Sequence, residues 1–259
     1  MKRNIYMQVL FTILVISCSS NKKIIINDAD KEYSFKVDTL NWFDSLRNRV
    51  IPVALYKQKT EKNITNREVI IFSHGYGENK GGNYLAYSYL TEKLASKGYF
   101  VVSIQHELTT DSLIPLTGLP QVVRRPFWER GAENILFVIN ELKRSRPKLN
   151  FKRLTLIAHS NGADMSALFA QQYPNLVNKI ITLDNRRVAL PRTKHPEVFS
   201  LRSSDRPADV GVIPSSEEQQ LFGIKIIRLP HTIHNDMDDR ASKAQRKEIN
   251  DYILSFLKD

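Results

Sequence analysis

The stretch Leu154-Thr-Leu-Ile-Ala-His-Ser-Asn-Gly-Ala-Asp-Met-Ser166 restricts what this chain can fold into more than any other. Leu154 to Ala158 is a short apolar run of the kind that forms a buried parallel strand. From Gly162 onward, Ala163, Met165, Ala167, Leu168, Phe169 and Ala170 favour a helix, which Tyr173-Pro174 ends. Only Ala158-His159-Ser160-Asn161-Gly162 separates the two. A turn that tight tolerates only small residues beside it, and it pushes the Ser160 hydroxyl out at the carboxyl end of the sheet. A strand that runs straight into a helix in this way belongs to a layered α/β architecture.

The pentapeptide has the small-x-Ser-x-small form of a nucleophile elbow, with Ala158 in the place of the usual first glycine. Serine is also a common N-cap, so the pentapeptide alone fits an ordinary capped helix equally well.

The rest of the chain repeats the alternation. Asp38 to Tyr56 leads into the sheet, with strand character over Arg49–Tyr56 and an edge position suggested by Pro52. Lys57 to Arg67 reads as a loop. Further strands are expected over Glu68–Ser73, Tyr99–Ile104, Asn178–Asp184, Glu197–Arg202 and Gly223–Leu229. Helices are expected over Tyr84–Ser96, Trp128–Arg144, Ser215–Phe222 and Ala241–Leu257. Leu108 to Pro126, with three prolines and no period, is a long loop of the kind that usually serves function. The pattern predicts a mainly parallel sheet covered by helices on both faces.

At 259 residues the chain suits one such domain, and 42% hydrophobic with 25% charged residues argues against disorder. The net charge is +11, or +9 without Lys2 and Arg3. No Lys/Arg block interleaved with aromatics marks a nucleic-acid face, so the charge reads as a basic surface suited to anionic lipid, polysaccharide or acidic substrates. Cys18 is the one cysteine, which excludes an internal disulfide.

Lys2 and Arg3 form a positive n-region and Ile5 to Ile16 an apolar run of signal-peptide length. Leu14-Val-Ile-Ser-Cys18 then resembles the lipobox of bacterial lipoproteins. The resemblance implies cleavage before Cys18, lipid on that residue, and attachment to the cell envelope, at the outer membrane since Ser19-Ser20 gives no acidic retention signal. An ordinary secretory signal is the other reading. The expected organisation is a signal peptide over 1–17, a tether over 18–34 and one domain over 35–259.

Four segments together resemble an α/β-hydrolase of the esterase and lipase type: Trp42-Phe-Asp44 with Arg47-Asn-Arg49, Phe72-Ser-His-Gly-Tyr-Gly77, the elbow, and His234-Asn-Asp-Met237. Within that superfamily the resemblance is to the dienelactone-hydrolase-like and platelet-activating-factor-acetylhydrolase-like branch. It implies a cofactor-independent serine hydrolase acting on esters through an acyl-enzyme. The chain order is then Ser, acid, His.

Ser160 is the expected nucleophile. Of six histidines only His231 and His234 follow the last strand, and His234 is favoured as base, with His231 the alternative. For the acid, Asp205 is favoured and Asp209 is the alternative, whereas Asp184, flanked by Arg186 and Arg187, reads as an ion-pair residue. The backbone amides of Tyr76 and Asn161 are the expected oxyanion donors. Asp236, Asp238 and Asp239 could suggest a metal, but capping of the closing helix explains them better, and no metal or nucleotide is expected. Arg124, Arg125 and Arg130 could hold an anion over the site or simply be solvated. The same triad could instead cleave an amide or transfer an acyl group, and a lipid-anchored binding protein that has lost turnover is the reading from a different class.

Overall fold

The computed structural model describes residues 32–59 and 65–258. Cys18, the signal segment and most of the expected tether lie outside the described residues. Eight strands form one sheet: β1 (Phe35–Asp44), β2 (Arg49–Gln58), β3 (Glu68–Ser73), β4 (Phe100–Ile104), β5 (Asn150–His159), β6 (Lys179–Leu183), β7 (Glu197–Arg202) and β8 (Lys225–Arg228). Their spatial order is β1-β2-β4-β3-β5-β6-β7-β8. Contacts from β4 across to β8 are parallel, and β1 and β2 add antiparallel strands at one side.

The sheet is wider than the sequence pattern indicated, because the apolar residues of β1 do not keep to alternate positions: Phe35, Val37 and Phe43 fall on one parity and Leu40 and Trp42 on the other, and Val37, Leu40 and Phe43 are exposed. It forms a hairpin with β2, which makes β2 an interior strand and overturns the edge reading of Pro52. Pro52 is tolerated because it lies one place past the last β2–β4 pair, Val53 with Ile104. Its carbonyl accepts the Gln105 amide there, and the reciprocal bond its ring nitrogen cannot donate falls outside the ladder.

Among the described residues, six α-helices flank the sheet: α1 (Ser88–Ser96), α2 (Pro120–Val123), α3 (Arg125–Ser145), α4 (Ser160–Gln172), α5 (Ser216–Phe222) and α6 (Lys243–Lys258). Strand residues alternate between two cores, as a pleat of period two requires. Val69 and Ile71 face the core that includes Trp128, Ile135 and Leu142 of α3 with Met165 and Phe169 of α4. Ile70 and Phe72 face the core that includes Leu90 and Leu94 of α1 with Ile249, Ile253 and Phe256 of α6. Expected loop residues 108–126 contain α2 and the first turn of α3, where Pro120 and Pro126 sit in first-turn positions that need no backbone N–H.

Asp239 does not cap the closing helix. Its carboxylate accepts the Ser88 and Tyr89 amides at 2.9 and 3.1 Å, capping α1 from a distant part of the chain. Asp238 pairs with Arg240, and Asp236 accepts from Gln245. Among the described residues no cluster of three or more His, Cys, Asp or Glu has the arrangement of a metal site.

Candidate active site

Strand β5 ends at His159 and helix α4 begins at Ser160, with no intervening residue. The reversal is made by Ser160 itself, which adopts φ +52°. Left-handed backbone costs a non-glycine residue on the order of 1–2 kcal/mol, so the surrounding packing must enforce it. Gly162 shows how close that packing is: a Cβ there would lie 2.3 Å from the His74 carbonyl oxygen and 2.5 Å from that of Ser73. The small residue after the serine is therefore required by backbone contact between the elbow and the end of β3.

The elbow directs the Ser160 hydroxyl at His234, in the loop after β8, where Ser160 Oγ donates to His234 Nε2 at 2.9 Å. On the other side of the ring, His234 Nδ1 donates to Asp184 Oδ2 at 2.5 Å. Asp184 follows β6 directly, is fully buried, and also adopts a left-handed φ of +57°. Ser203 supplies its amide to Oδ1 at 3.0 Å and its hydroxyl to Oδ2 at 2.7 Å, and Arg202 lies 3.0 Å from Oδ1. Burial opposes ionisation of Asp184, but the His234 hydrogen bond, the Arg202 guanidinium and the Ser203 donors outweigh it and hold the carboxyl below the usual carboxylate range.

This arrangement corrects the expectation for the acid. Asp205 does not reach the His234 ring: its carboxylate accepts the His234 backbone amide at 2.7 Å, and its side chain is 36% exposed. Asp209 is farther removed, paired with Arg187 and bonded to Gln121. Nor is Asp184 an ion-pair partner of its neighbours Arg186 and Arg187; its cation is Arg202. One signal in the sequence could have pointed there. Asp184-Asn185 are of the two types that, glycine aside, accept left-handed backbone most readily, placed where a strand ends. His231, the alternative base, is exposed, and its carbonyl accepts from Gln245.

Tyr76 and Asn161, the residues expected to supply the oxyanion amides, line the same cavity as Ser160 and His234. Asn161 occupies the first turn of α4, where backbone amides have no acceptor within the helix. Its side chain is fixed from both ends: Trp128 Nε1 donates to Oδ1 at 2.9 Å and Nδ2 donates to Glu107 Oε1 at 3.0 Å. In the turn after β3, the Gly75 amide is taken by Tyr87 Oη at 3.0 Å, whereas the Tyr76 amide makes no hydrogen bond among the described residues. A Cβ on Gly77 would meet Asn83 Oδ1 at 2.0 Å, so the turn is packed tightly against the next segment.

Beneath the ring of His234 lies His159, with centroids 4.8 Å apart. His159 Nδ1 is 2.7 Å from Tyr87 Oη. Burial, reinforced by the neighbouring His234, pushes the His159 pKa down to about 3, so it is neutral near neutral pH. Asp164, one turn into α4, borders the same cavity, and burial pushes its carboxyl up to about 6 despite three backbone donors from Arg186, Arg187 and Val188.

Among solved structures, an esterase from the hyperthermophilic archaeon Pyrobaculum calidifontis has a TM-score of 0.63 at 14% identity, covering 89% of this chain and 85% of its own. An acylaminoacyl peptidase from Pyrococcus horikoshii has a TM-score of 0.61 at 16% identity over 88% of this chain; the match spans 42% of the peptidase, less than half its length. A dienelactone hydrolase-like promiscuous phosphotriesterase from metagenomic libraries has a TM-score of 0.60 at 12% identity, covering 87% of this chain and 98% of its own. No curated protein sequence matches. At these identities the likeness is one of fold. The sequence itself matches the alpha/beta hydrolase fold family over residues 68–250, well over half its length and including Ser160, Asp184 and His234, so the chain belongs to that family.

Proposed function

We propose that this protein is a cofactor-independent serine hydrolase that cleaves carboxylic esters through an acyl-enzyme. The observation that carries the reading is the continuous chain from Ser160 Oγ to His234 Nε2 at 2.9 Å and from His234 Nδ1 to Asp184 Oδ2 at 2.5 Å. A serine hydroxyl is a poor nucleophile at neutral pH. It needs a base within hydrogen-bond reach and a group that orients that base. In this reading Ser160 Oγ bonds to the ester carbonyl carbon while its proton passes to His234 Nε2. Asp184 holds the ring in the Nδ1–H tautomer and stabilises the imidazolium. The carbonyl oxygen becomes an oxyanion between the amides of Tyr76 and Asn161. When the tetrahedral species collapses, the C–O bond to the alcohol breaks and the alcohol leaves with the proton from His234. Water then repeats the sequence against the acyl-enzyme, releasing the acid and restoring Ser160.

Asp205 has a different part: by binding the His234 backbone amide it fixes the turn that presents the ring. Retention of Cys18 as a lipid attachment point, with the domain held at the cell envelope, is supported by the basic n-region, the apolar run and Ser17-Cys18. A chain anchored by several acyl groups stays on its membrane, whereas one acyl group gives only marginal attachment.

The test is labelling of the full chain in detergent with a fluorophosphonate, followed by mapping of the modified residue. Labelling at Ser160, abolished in Ser160→Ala together with ester turnover, is the expected result. An unlabelled, folded wild type would refute the reading and leave a binding protein of the same fold.

A further inference from the structure

The cavity at Ser160 holds ≈ 230 Å³ and is lined by four arginines, Arg124, Arg186, Arg187 and Arg206, against one acidic residue, Asp164. These charges are not balanced from within. Arg187 is paired with Asp209. Arg124 spends only its Nε, on the Pro115 carbonyl at 3.0 Å, and Arg186 only its Nε, on the Pro207 carbonyl at 3.4 Å. Among the described residues neither has a carboxylate within ion-pairing distance. Arg206 has only Asp205, at 3.8 Å. Asp164 is one carboxylate against four arginines and offsets them only in part; its Oδ1 accepts the Arg186, Arg187 and Val188 amides at 2.9–3.1 Å and so organises the turn that carries two of the arginines.

Crowding like charges in a partly buried place is unfavourable. Burial first, and then Arg187, lower the pKa of Arg124. Burial first, and then Arg187 and Arg206, lower that of Arg186. A guanidinium with its Nη fork unspent is suited to a planar carboxylate or a phosphate, which it binds through two parallel hydrogen bonds. Ile114 and Leu116 provide the apolar part of the wall, too little to bury a long acyl chain.

We infer that the preferred substrate is a small ester bearing an anionic group, a carboxylate or a phosphate, held by Arg124, Arg186 and Arg206 while its carbonyl lies at Ser160. This rests on the hydrolase reading above, and it adds the class of substrate. The arginines come from three separate segments: the loop before α3, the turn after β6 and the turn after β7. They meet only in the folded chain, and the sequence reading found just one of them as a possible anion ligand, Arg124, grouped with Arg125 and Arg130. Arg125 instead pairs with Glu129, and Arg130 lies against Asp111.

The experiment compares matched acetates hydrolysed by the full chain in detergent: 3-acetoxybenzoate, 3-acetoxyphenyl phosphate and the neutral 3-acetoxybenzamide. Charge-assisted hydrogen bonds predict that kcat/KM for the better anionic ester exceeds that for the amide about 10- to 100-fold, and that added salt narrows the gap. Whichever anionic ester gives the larger ratio identifies the anion. In the double variant Arg124→Gln/Arg186→Gln the ratio of anionic to neutral falls to about one. Arg206→Gln, at an exposed position, reduces the ratio in part and remains informative if the double variant fails to fold. Equal or better turnover of the neutral ester by wild type, with Ser160 labelled by fluorophosphonate, overturns the inference and leaves the hydrolase reading intact. If Ser160 is not labelled, calorimetric binding of 3-hydroxybenzoate and 3-hydroxyphenyl phosphate against 3-hydroxybenzamide decides the anion site separately. Binding of either anion alone, weakened in Arg206→Gln, supports the site. No preference for either anion overturns it.

Discussion

Asp184→Asn separates the two aspartates that contact His234, and its effect can be worked out in advance. Asp184 Oδ2 is 2.5 Å from His234 Nδ1 and wholly buried, so in the proposed mechanism its charge acts on the imidazolium formed in the transition state. For charge centres ~4 Å apart at an effective dielectric of ~20, Coulomb's law gives ~4 kcal/mol. Neutralising the equivalent carboxylate in the serine protease triad costs ~10⁴ in kcat, which corresponds to ~5 kcal/mol and agrees in order of magnitude. Asp184→Asn is therefore expected to lose ~10³–10⁴ in kcat/KM. Asp205→Ala removes one bond to a backbone amide from a side chain that is 36% exposed, which is worth ~1 kcal/mol and at most a tenfold loss. The assay is hydrolysis of an activated acetate by both variants, with circular dichroism and thermal melts as controls because Asp184 also balances the buried Arg202. If folded Asp184→Asn kept activity within tenfold of wild type while Asp205→Ala lost a thousandfold, Asp205 would be the functional acid and the reasoning from ring geometry would be wrong.

Ser160→Ala is expected to abolish turnover with little change in melting temperature; any change should be small because the hydroxyl is aimed into the cavity, and comparison of rate and melt checks both. Gly162→Ala should be the more damaging to structure, since its Cβ would meet two backbone oxygens at 2.3 and 2.5 Å that cannot move independently of β3; loss of soluble protein or a clear fall in melting temperature is the readout. His159, with its pKa depressed to about 3 in the folded chain, contributes stability that is complete above its ordinary value of 6.5 and lost as pH falls through about 3. Urea midpoints of wild type and His159→Gln should therefore converge as pH falls across that window, and parallel curves would contradict the burial argument. Cys18→Ser should release the protein from the membrane fraction or leave it unprocessed while activity in detergent persists; an unlabelled wild type found free after feeding a fatty-acid probe would replace the anchor with a plain secretory signal.

What the sequence determined by itself was local and ordered along the chain. Apolar runs of strand length alternating with helical periods required a layered α/β fold. The small residues around Ser160 required a strand-to-helix turn, and the position after the last strand narrowed the base to His234, the favoured one, and His231. These features are readable because strand, helix and tight turn depend on residues within a few places of one another. The antiparallel β1 was not readable as a strand, because its apolar residues do not keep to alternate positions and its place is set by pairing with β2 along its whole length. The partner of His234 was decided only in three dimensions. Asp184 and Asp205 both follow strands and both precede the histidine, and both do bind it, one at the ring and one at the backbone. What separates them is the left-handed turn at Asp184, which goes with its carboxylate meeting Nδ1 of the ring, and the burial that Arg202 and Ser203 make tolerable. The convergence of Arg124, Arg186 and Arg206 is of the same kind. Their charge is plain in the sequence, but its direction is set by three loops meeting at the end of one sheet.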